Sequence, residues 1–361
     1  MTPLRVVIAG GGTGGHLYPG IAVARELLRR RPDALVSFAG TERGIESRVI
    51  PKEGLPLDVL RSAGLKGKSH LSFLRGLLLL PLSGVDAWRI VSERSPHLVI
   101  GVGGYSSGPV VLVSALRRIP TLLLEQNAVP GLTNRLLARF VDAAAVTFEA
   151  TGAYFGGRAF VTGNPVRPEF FDASARGSAG EPPRILIFGG SQGAHAINMA
   201  MVEAAPRLAT HPGGLAITHQ TGERDLERVK EGYQRAGLAA RVEPFLFAMD
   251  REMKAADLVI CRAGATTIAE LTASGRPALL IPLPTATDDH QRKNAMVLAE
   301  AGAAEILDQR HLSGAVLADR IAALAGDRAR LASMSQATRR LARPDAARAI
   351  VDRALELAGG H

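Results

Sequence analysis

One pattern occurs twice in this chain and restricts its fold more than any other feature. Residues 4–20 read LRVVIAGGGTGGHLYPG, and residues 184–198 read RILIFGGSQGAHAIN. In each, a short apolar run suits a strand buried on both faces, the glycines suit a tight turn, and the residues beyond them enter a helix. Such a repeat points to two similar α/β halves, each built on its own parallel sheet. The turn also brings bare main-chain N–H groups to a helix N-terminus, a setting that attracts phosphates. Pro19 reads as the start of the first helix. Gly10, Gly12 and Gly15 satisfy GxGxxG, so a dinucleotide-binding unit is one reading. Against it, the second strand, residues 35–39, runs into GTERG with no acid at its tip for a ribose, and Glu42 is poorly placed for that task.

A length of 361 residues suits two α/β domains. Hydrophobic residues make up 47% and aromatic residues 4%, so the cores are aliphatic, as in helix-covered parallel sheets. Few rings are left to stack on bases, which argues against a nucleic-acid partner. Cys261 is the only cysteine and cannot form an internal disulfide, and the N-terminus lacks a secretory pattern, so a reducing cytoplasm is expected. The apolar run at residues 77–82 contains Pro81 and is far below the roughly 20 residues that span a bilayer. The net charge of +9 suits either an anionic partner or a solvated arginine-rich surface.

Strands and helices alternate after the first turn, with a helix expected from about Ile45 to just before Gly54. Residues 61–94 break the pattern. Leucines and Trp88 stand there among Arg61, Lys66, Lys68, Arg75 and Arg89, which suits either a core helix or a segment lying on an anionic membrane. A strand at 98–101 leads to Gly103 and Gly104, and a strand at 121–124 delivers Glu125, Gln126 and Asn127 at its carboxyl end, where doubly wound sheets bind ligands. Asn127 also suits a simple turn before Pro130. Residues 155–183 read as the crossing between domains. In the second half, strands are expected at 215–219, 241–244, 257–261 and 278–281, and helices at 225–236, 249–255, 266–272 and from 288. The Thr-rich helix start at Thr266 is a phosphate seat, Glu270 lies about a turn inside it, and Asp289, His290 and Gln291 form a polar mouth suited to a sugar. A last helix spans 346–358.

Taken together and in order, GGTGGH, GGYSSGP, EQNAVPGLTN, GNPVR, GGSQGA, CRAGATTIAE and DDHQRKNA resemble the bacterial N-acetylglucosaminyltransferases that form lipid II of peptidoglycan. The resemblance covers nearly the whole chain. It implies an α/β fold of two Rossmann-like doubly wound domains facing a cleft, the glycosyltransferase B arrangement. The division implied is 1–163 for an acceptor and membrane-facing domain, 164–340 for the UDP-sugar domain, and 341–361 for a helix packing back on the first domain. UDP-N-acetylglucosamine would be the donor and lipid I the acceptor, with no cofactor. The enzyme would sit peripherally on the cytoplasmic face of the cell membrane and serve cell-wall synthesis, cell shape and division.

Carried over by the same resemblance, Ser191 would hold the diphosphate and the backbone at Leu246 the uracil. Ala265, Thr266, Thr267, Ile268, Ala269 and Glu270 would take the phosphates and ribose, and Gln291 the sugar hydroxyls. Thr13, Gly14, Gly15, Asn127 and Arg167 would close over the donor. Phe73, Leu74, Leu77, Leu78, Leu79, Leu80 and Trp88 would form the membrane patch. Leu246 stands where the family has isoleucine, and His290 where it has glutamine.

An inverting transfer needs a base for the acceptor hydroxyl and positive potential for the departing UDP. Imidazoles ordinarily titrate near neutrality, which makes His16 the candidate base. The same position suits an orienting, hydrogen-bonding histidine. No DxD stands near a strand end, so Arg167 and the helix dipole at Thr266 are expected to supply the charge without an obligatory metal. A UDP-N-acetylglucosamine 2-epimerase of the same fold is the alternative, although it has no need of the apolar and basic stretch around Trp88.

Overall fold

The structure, a computed structural model, describes residues 3–42, 44–61, 70–171, 181–190 and 192–359, without the side chains of 70–80. Two compact units divide the chain. Met1–Val166 and Arg343–His361 form the first and Arg167–Ala342 the second.

The first unit runs β1 (Arg5–Gly10), α1 (Gly14–Arg30), β2 (Leu35–Gly40), α2 (Glu46–Val49), β3 (Leu57–Val59), α3 (His70–Arg94), β4 (Leu98–Gly103), α4 (Ser107–Leu116), β5 (Thr121–Glu125), α5 (Leu132–Leu137), β6 (Ala143–Val146) and β7 (Ala159–Val161). All seven strands are parallel, in the order β3-β2-β1-β4-β5-β6-β7. Alternation along β1 explains why so short a run can sit in the centre. Val6 and Ile8 face a core with Leu17 and Ile21 of α1, whereas Val7 and Ala9 face another with Ile90 and Val91 of α3 and Val110 of α4. A strand covered on both faces needs a continuous apolar sequence, which is what β1 carries.

The second unit repeats the scheme with β8 (Arg184–Phe188), α6 (His195–Ala209), β9 (Ala216–Gln220), α7 (Leu226–Ala236), β10 (Ala240–Glu243), α8 (Met249–Ala255), β11 (Leu258–Cys261), α9 (Ala265–Ser274), β12 (Ala278–Leu280), α10 (His290–Glu300), β13 (Ala304–Ile306), α11 (Gly314–Gly326) and α12 (Arg328–Arg340). Its parallel order is β10-β9-β8-β11-β12-β13. The order reverses between β1 and β4 in the first sheet and between β8 and β11 in the second, and ligands of such sheets bind at that point. Every glycine turn noted in the sequence follows one of these four strands.

The chain then returns to the first unit as α13 (Ala346–Gly359), whose Ile350, Val351 and Ala354 complete the core formed by β1 and α1.

The helix expected from about Ile45 is shorter, α2 covering only Glu46–Val49 before a separate 3-10 turn at Pro51–Glu53, and the first helix and the crossing differ in detail. The first helix begins at Gly14, because the carbonyl of Thr13 accepts both His16 N–H, at 3.2 Å, and Leu17 N–H, at 3.1 Å. Pro19 lies inside it, where it costs the helix a single main-chain hydrogen bond. The crossing between the units, at Val166 and Arg167, falls within residues 155–183, but the chain on either side of it is built into the two units. β7 is a strand of the first sheet, and Phe170, fully buried, lies in a short turn of helix packed on α8 and α9 of the second unit. Apolar residues at 160 and 170 explain both attachments.

Candidate functional site

In the first unit the two glycine turns meet main chain to main chain. A Cβ on Gly104 would stand 2.6 Å from the Gly11 carbonyl oxygen, so only glycine permits the approach. His16, in the first turn of α1, lies over Gly103, where a Cβ would come 2.8 Å from its Nδ1. That nitrogen is 3.1 Å from Gln126 Oε1, and Gln126 Nε2 donates to the Val102 carbonyl at 3.1 Å. Three strand ends, β1, β4 and β5, thus converge on one imidazole.

Glu46 takes up part of this loop's main chain. Its side chain, fully buried, accepts from Gly12 N–H and Thr41 N–H at 2.8 Å each and from the Thr41 hydroxyl at 2.9 Å. One main-chain donor of the loop, Gly12 N–H, is thereby satisfied from within the chain. Thr13 is exposed, makes no capping bond through its side chain, and is followed by half-buried Gly14 and Gly15.

Glu125, buried at the tip of β5, is an organiser of its loop. It accepts from Asn127 N–H at 3.0 Å and Nδ2 at 3.3 Å, from Gly131 N–H at 3.1 Å, and from Asn134 Nδ2 at 2.9 Å. Asn127 is thereby oriented, and Thr151 Oγ1 donates to its carbonyl at 3.2 Å.

The second glycine turn differs in its chemistry. Among the described residues no carboxylate bonds the main chain at 189–194, and α6 starts after Ala194 without a side-chain cap. The turn sits against the end of β9 so closely that a Cβ on Gly193 would lie 1.7 Å from the Thr221 carbonyl oxygen. Gln220 ties the parts together, donating to the Gly190 carbonyl at 2.9 Å and accepting from Leu246 N–H at 2.8 Å. The Leu246 amide is thus engaged. Ser191 lies outside the described residues.

Beneath the turn runs a polar chain, buried except at His195. His195 Nδ1 meets Asp225 at 2.9 Å, Asn198 Nδ2 donates to Asp225 at 2.8 Å, His219 Nε2 donates to Asn198 Oδ1 at 3.1 Å, and the Tyr233 hydroxyl lies 2.7 Å from His219 Nδ1. Burial pushes His219 down to about 3 and Tyr233 up, so both stay neutral and brace the loop.

Helix α9 begins at Ala265 after Gly264, with Thr266 and Thr267 partly buried in its first turn and Ile268 and Ala269 packed inward. Glu270 is partly buried, and among the described residues no donor bonds its carboxylate. Burial pushes its carboxyl up to about 7, against the pull of the Arg167 guanidinium. Arg167 itself stacks 5.2 Å over the Phe170 ring. Gln291 Oε1 accepts from Leu283 N–H at 3.0 Å and Ala263 N–H at 3.3 Å, which leaves Nε2 as the donor end of the amide. His290 is turned to the Thr287 carbonyl at 2.6 Å. Burial drives the Cys261 thiol up, so it is an inert core group.

Glu46, Gln220 and Asn198 were not singled out in the sequence. Gln220 carried a usable signal, a polar residue at a strand tip, like Gln126. Glu46 carried none, because its partners become neighbours only once β1 and β2 pair.

Glycosyltransferase family 28 is represented twice, its N-terminal domain over residues 6–146 and its C-terminal domain over 184–350. The UDP-N-acetylglucosamine–N-acetylmuramyl-(pentapeptide) pyrophosphoryl-undecaprenol N-acetylglucosamine transferase of Anaeromyxobacter sp. strain Fw109-5 is 49% identical over 356 residues, covering 98% of this chain and 93% of the relative. The crystal structure of MurG from Acinetobacter baumannii matches with a TM-score of 0.82 and 33% identity, covering 98% of this chain and all of that one. A UDP-N-acetylglucosamine 2-epimerase matches at a TM-score of 0.70 over 100% of this chain and 98% of its own, but at 15% identity, and so shares the fold alone. The chain is therefore a glycosyltransferase with two Rossmann-like domains, and it belongs to family 28, among the N-acetylglucosamine transferases of that undecaprenol-linked type.

Proposed function

We propose that this protein transfers N-acetylglucosamine from UDP-N-acetylglucosamine to the muramoyl 4-hydroxyl of the undecaprenyl-diphosphate-linked muramoyl-pentapeptide, lipid I, giving lipid II and UDP. The kinship at 49% identity over nearly the full chain supports the reaction. The division of labour rests on one observation: in the first unit's glycine turn the Gly12 N–H is taken by the Glu46 carboxylate, whereas among the described residues no carboxylate bonds the main chain of the second unit's turn. The donor diphosphate then belongs to the second unit, at Ser191 and at residues 265–267, with the ribose on Glu270, the uracil at Leu246 and the sugar on Gln291 Nε2. Thr13, Gly14, Gly15, Asn127 and Arg167 complete the donor contacts.

In this reading His16 accepts the proton of the acceptor hydroxyl as its oxygen attacks the anomeric carbon from the face opposite the diphosphate. The bond from that carbon to the β-phosphate oxygen breaks, and UDP leaves with the electron pair, steadied by Arg167 and the two helix N-termini. No cofactor enters the step, and every charge named belongs to a side chain or a helix end.

Among the described residues no helix is long and apolar enough to cross a membrane. The reading places the protein on the cytoplasmic face, docked through α3 and its neighbours. Phe73, Leu74, Leu77, Leu78, Leu79 and Leu80 lie among side chains outside the described set. Beyond them Val85 and Trp88 on α3, Leu116 on α4 and Leu136 on α5 are exposed, and Arg117 stacks 4.9 Å over the Trp88 ring. An apolar surface of mutually packed helices bearing arginines suits anionic lipid.

The test is to mix the protein with UDP-N-acetylglucosamine and a soluble lipid I analogue. UDP should appear only when both are present. Conversion of the donor to its 2-epimer without an acceptor would overturn the reading.

A further inference from the structure

We propose that Gln126 is a positioning residue that fixes the tautomer of His16, so that Nε2 is the ring's only basic atom. The inference deepens the reading of His16 as the base and rests on it. A carbonyl can only accept, so the Gln126 amide must turn its NH₂ end to Val102 O, at 3.1 Å, and its oxygen to the ring, also at 3.1 Å. The reversed amide would set two acceptors against each other. With Oε1 facing it, Nδ1 must carry the proton.

Gln126 is 2% exposed, so it cannot turn away to water, and the ring is seated on the bare backbone of Gly103. The carboxylates of adjacent elements are engaged elsewhere: Glu46 by Gly12 and Thr41, Glu125 by Asn127, Gly131 and Asn134. A neutral amide is thus the orienting group, where a triad of the serine-hydrolase kind uses a carboxylate. It sets direction without adding a charge that would hold the ring protonated.

Proton–nitrogen correlation spectra of histidine-labelled full-length protein, with His16 assigned from the His16→Asn spectrum, read the tautomer directly. The expected result is an Nδ1–H ring that shifts toward Nε2–H in Gln126→Leu. Turnover in that variant should fall by roughly 10²- to 10⁴-fold, with donor Kd unchanged. Gln126→Glu keeps an acceptor oxygen for the ring but loses the donor to the Val102 carbonyl, so it should recover part of the rate that Gln126→Leu loses. As a carboxylate it should move the acid limb of the pH profile upward. An Nε2–H ring in the unaltered protein, or full turnover in Gln126→Leu, overturns the proposal even where His16→Asn is inactive. Full turnover in His16→Asn removes the base itself and the proposal with it. Should Gln126→Leu fail to fold, the spectrum of the unaltered protein and the Gln126→Glu profile decide.

Discussion

The Glu46 carboxylate lies 2.8 Å from the Gly12 amide and accepts its hydrogen bond from within the chain. Glu46→Gln places an amide NH₂ against either Gly12 N–H or the Thr41 donors. It should destabilise the protein by about 1 to 3 kcal/mol, the cost of an unsatisfied buried group. UDP affinity should not change. Denaturant unfolding and calorimetry check the two halves, and stronger UDP binding in this variant would mean that the first turn competes for phosphate.

Glu270 gives a pH dependence with a definite sign. Its carboxyl is raised to about 7, so between its ordinary value near 4.3 and that value the folded chain keeps a proton the unfolded chain has released. Its contribution to stability therefore falls as pH rises through that window, and Glu270→Gln should flatten the slope measured by denaturant titration.

Donor binding should run the other way. Ribose hydroxyls favour the charged carboxylate, so affinity for UDP-N-acetylglucosamine should rise from about pH 6 to about pH 8. Glu270→Ala should weaken it by about 1.5 to 3 kcal/mol, roughly ten- to hundredfold in Kd. Calorimetry showing unchanged affinity would remove Glu270 from the donor site.

His16→Ala should leave donor affinity nearly intact while turnover falls roughly 10²- to 10⁴-fold. His16→Asn separates base from brace, because the amide keeps a hydrogen bond to Gln126 but takes no proton at neutral pH. Near-normal turnover in His16→Asn alone would make His16 an orienting residue.

Trp88→Glu and Leu116→Glu should each reduce flotation with anionic vesicles, and added salt should do the same, since each basic residue near such a surface contributes about 1 kcal/mol. Equal flotation on neutral vesicles at high salt would dismiss the electrostatic part.

Ile350→Ala, in a helix whose sequence neighbours lie in the other unit, should cost about 2 to 5 kcal/mol of stability, as for other large-to-small core changes. A loss below 1 kcal/mol would mean that α13 is dispensable to the first core.

What the sequence determined by itself was local. An apolar run followed by glycines commits a segment to strand and turn because the cause lies within those residues, and the doubling of that pattern was enough for two parallel-sheet halves. The seven motifs in order were enough for the family. Tertiary structure decided what depends on partners far along the chain. The glycine turn of the first unit gives its Gly12 amide to a carboxylate of the chain itself, because Glu46 comes under Gly12 only when β1 pairs with β2. His16 and Gln126 stand 110 positions apart and meet only where β1, β4 and β5 end together. That a helix at 341–361 returns to the first domain was expected, but which core residues Ile350, Val351 and Ala354 meet was decided by the tertiary structure. Such contacts follow from how strands are ordered in a sheet, and no local period encodes that order.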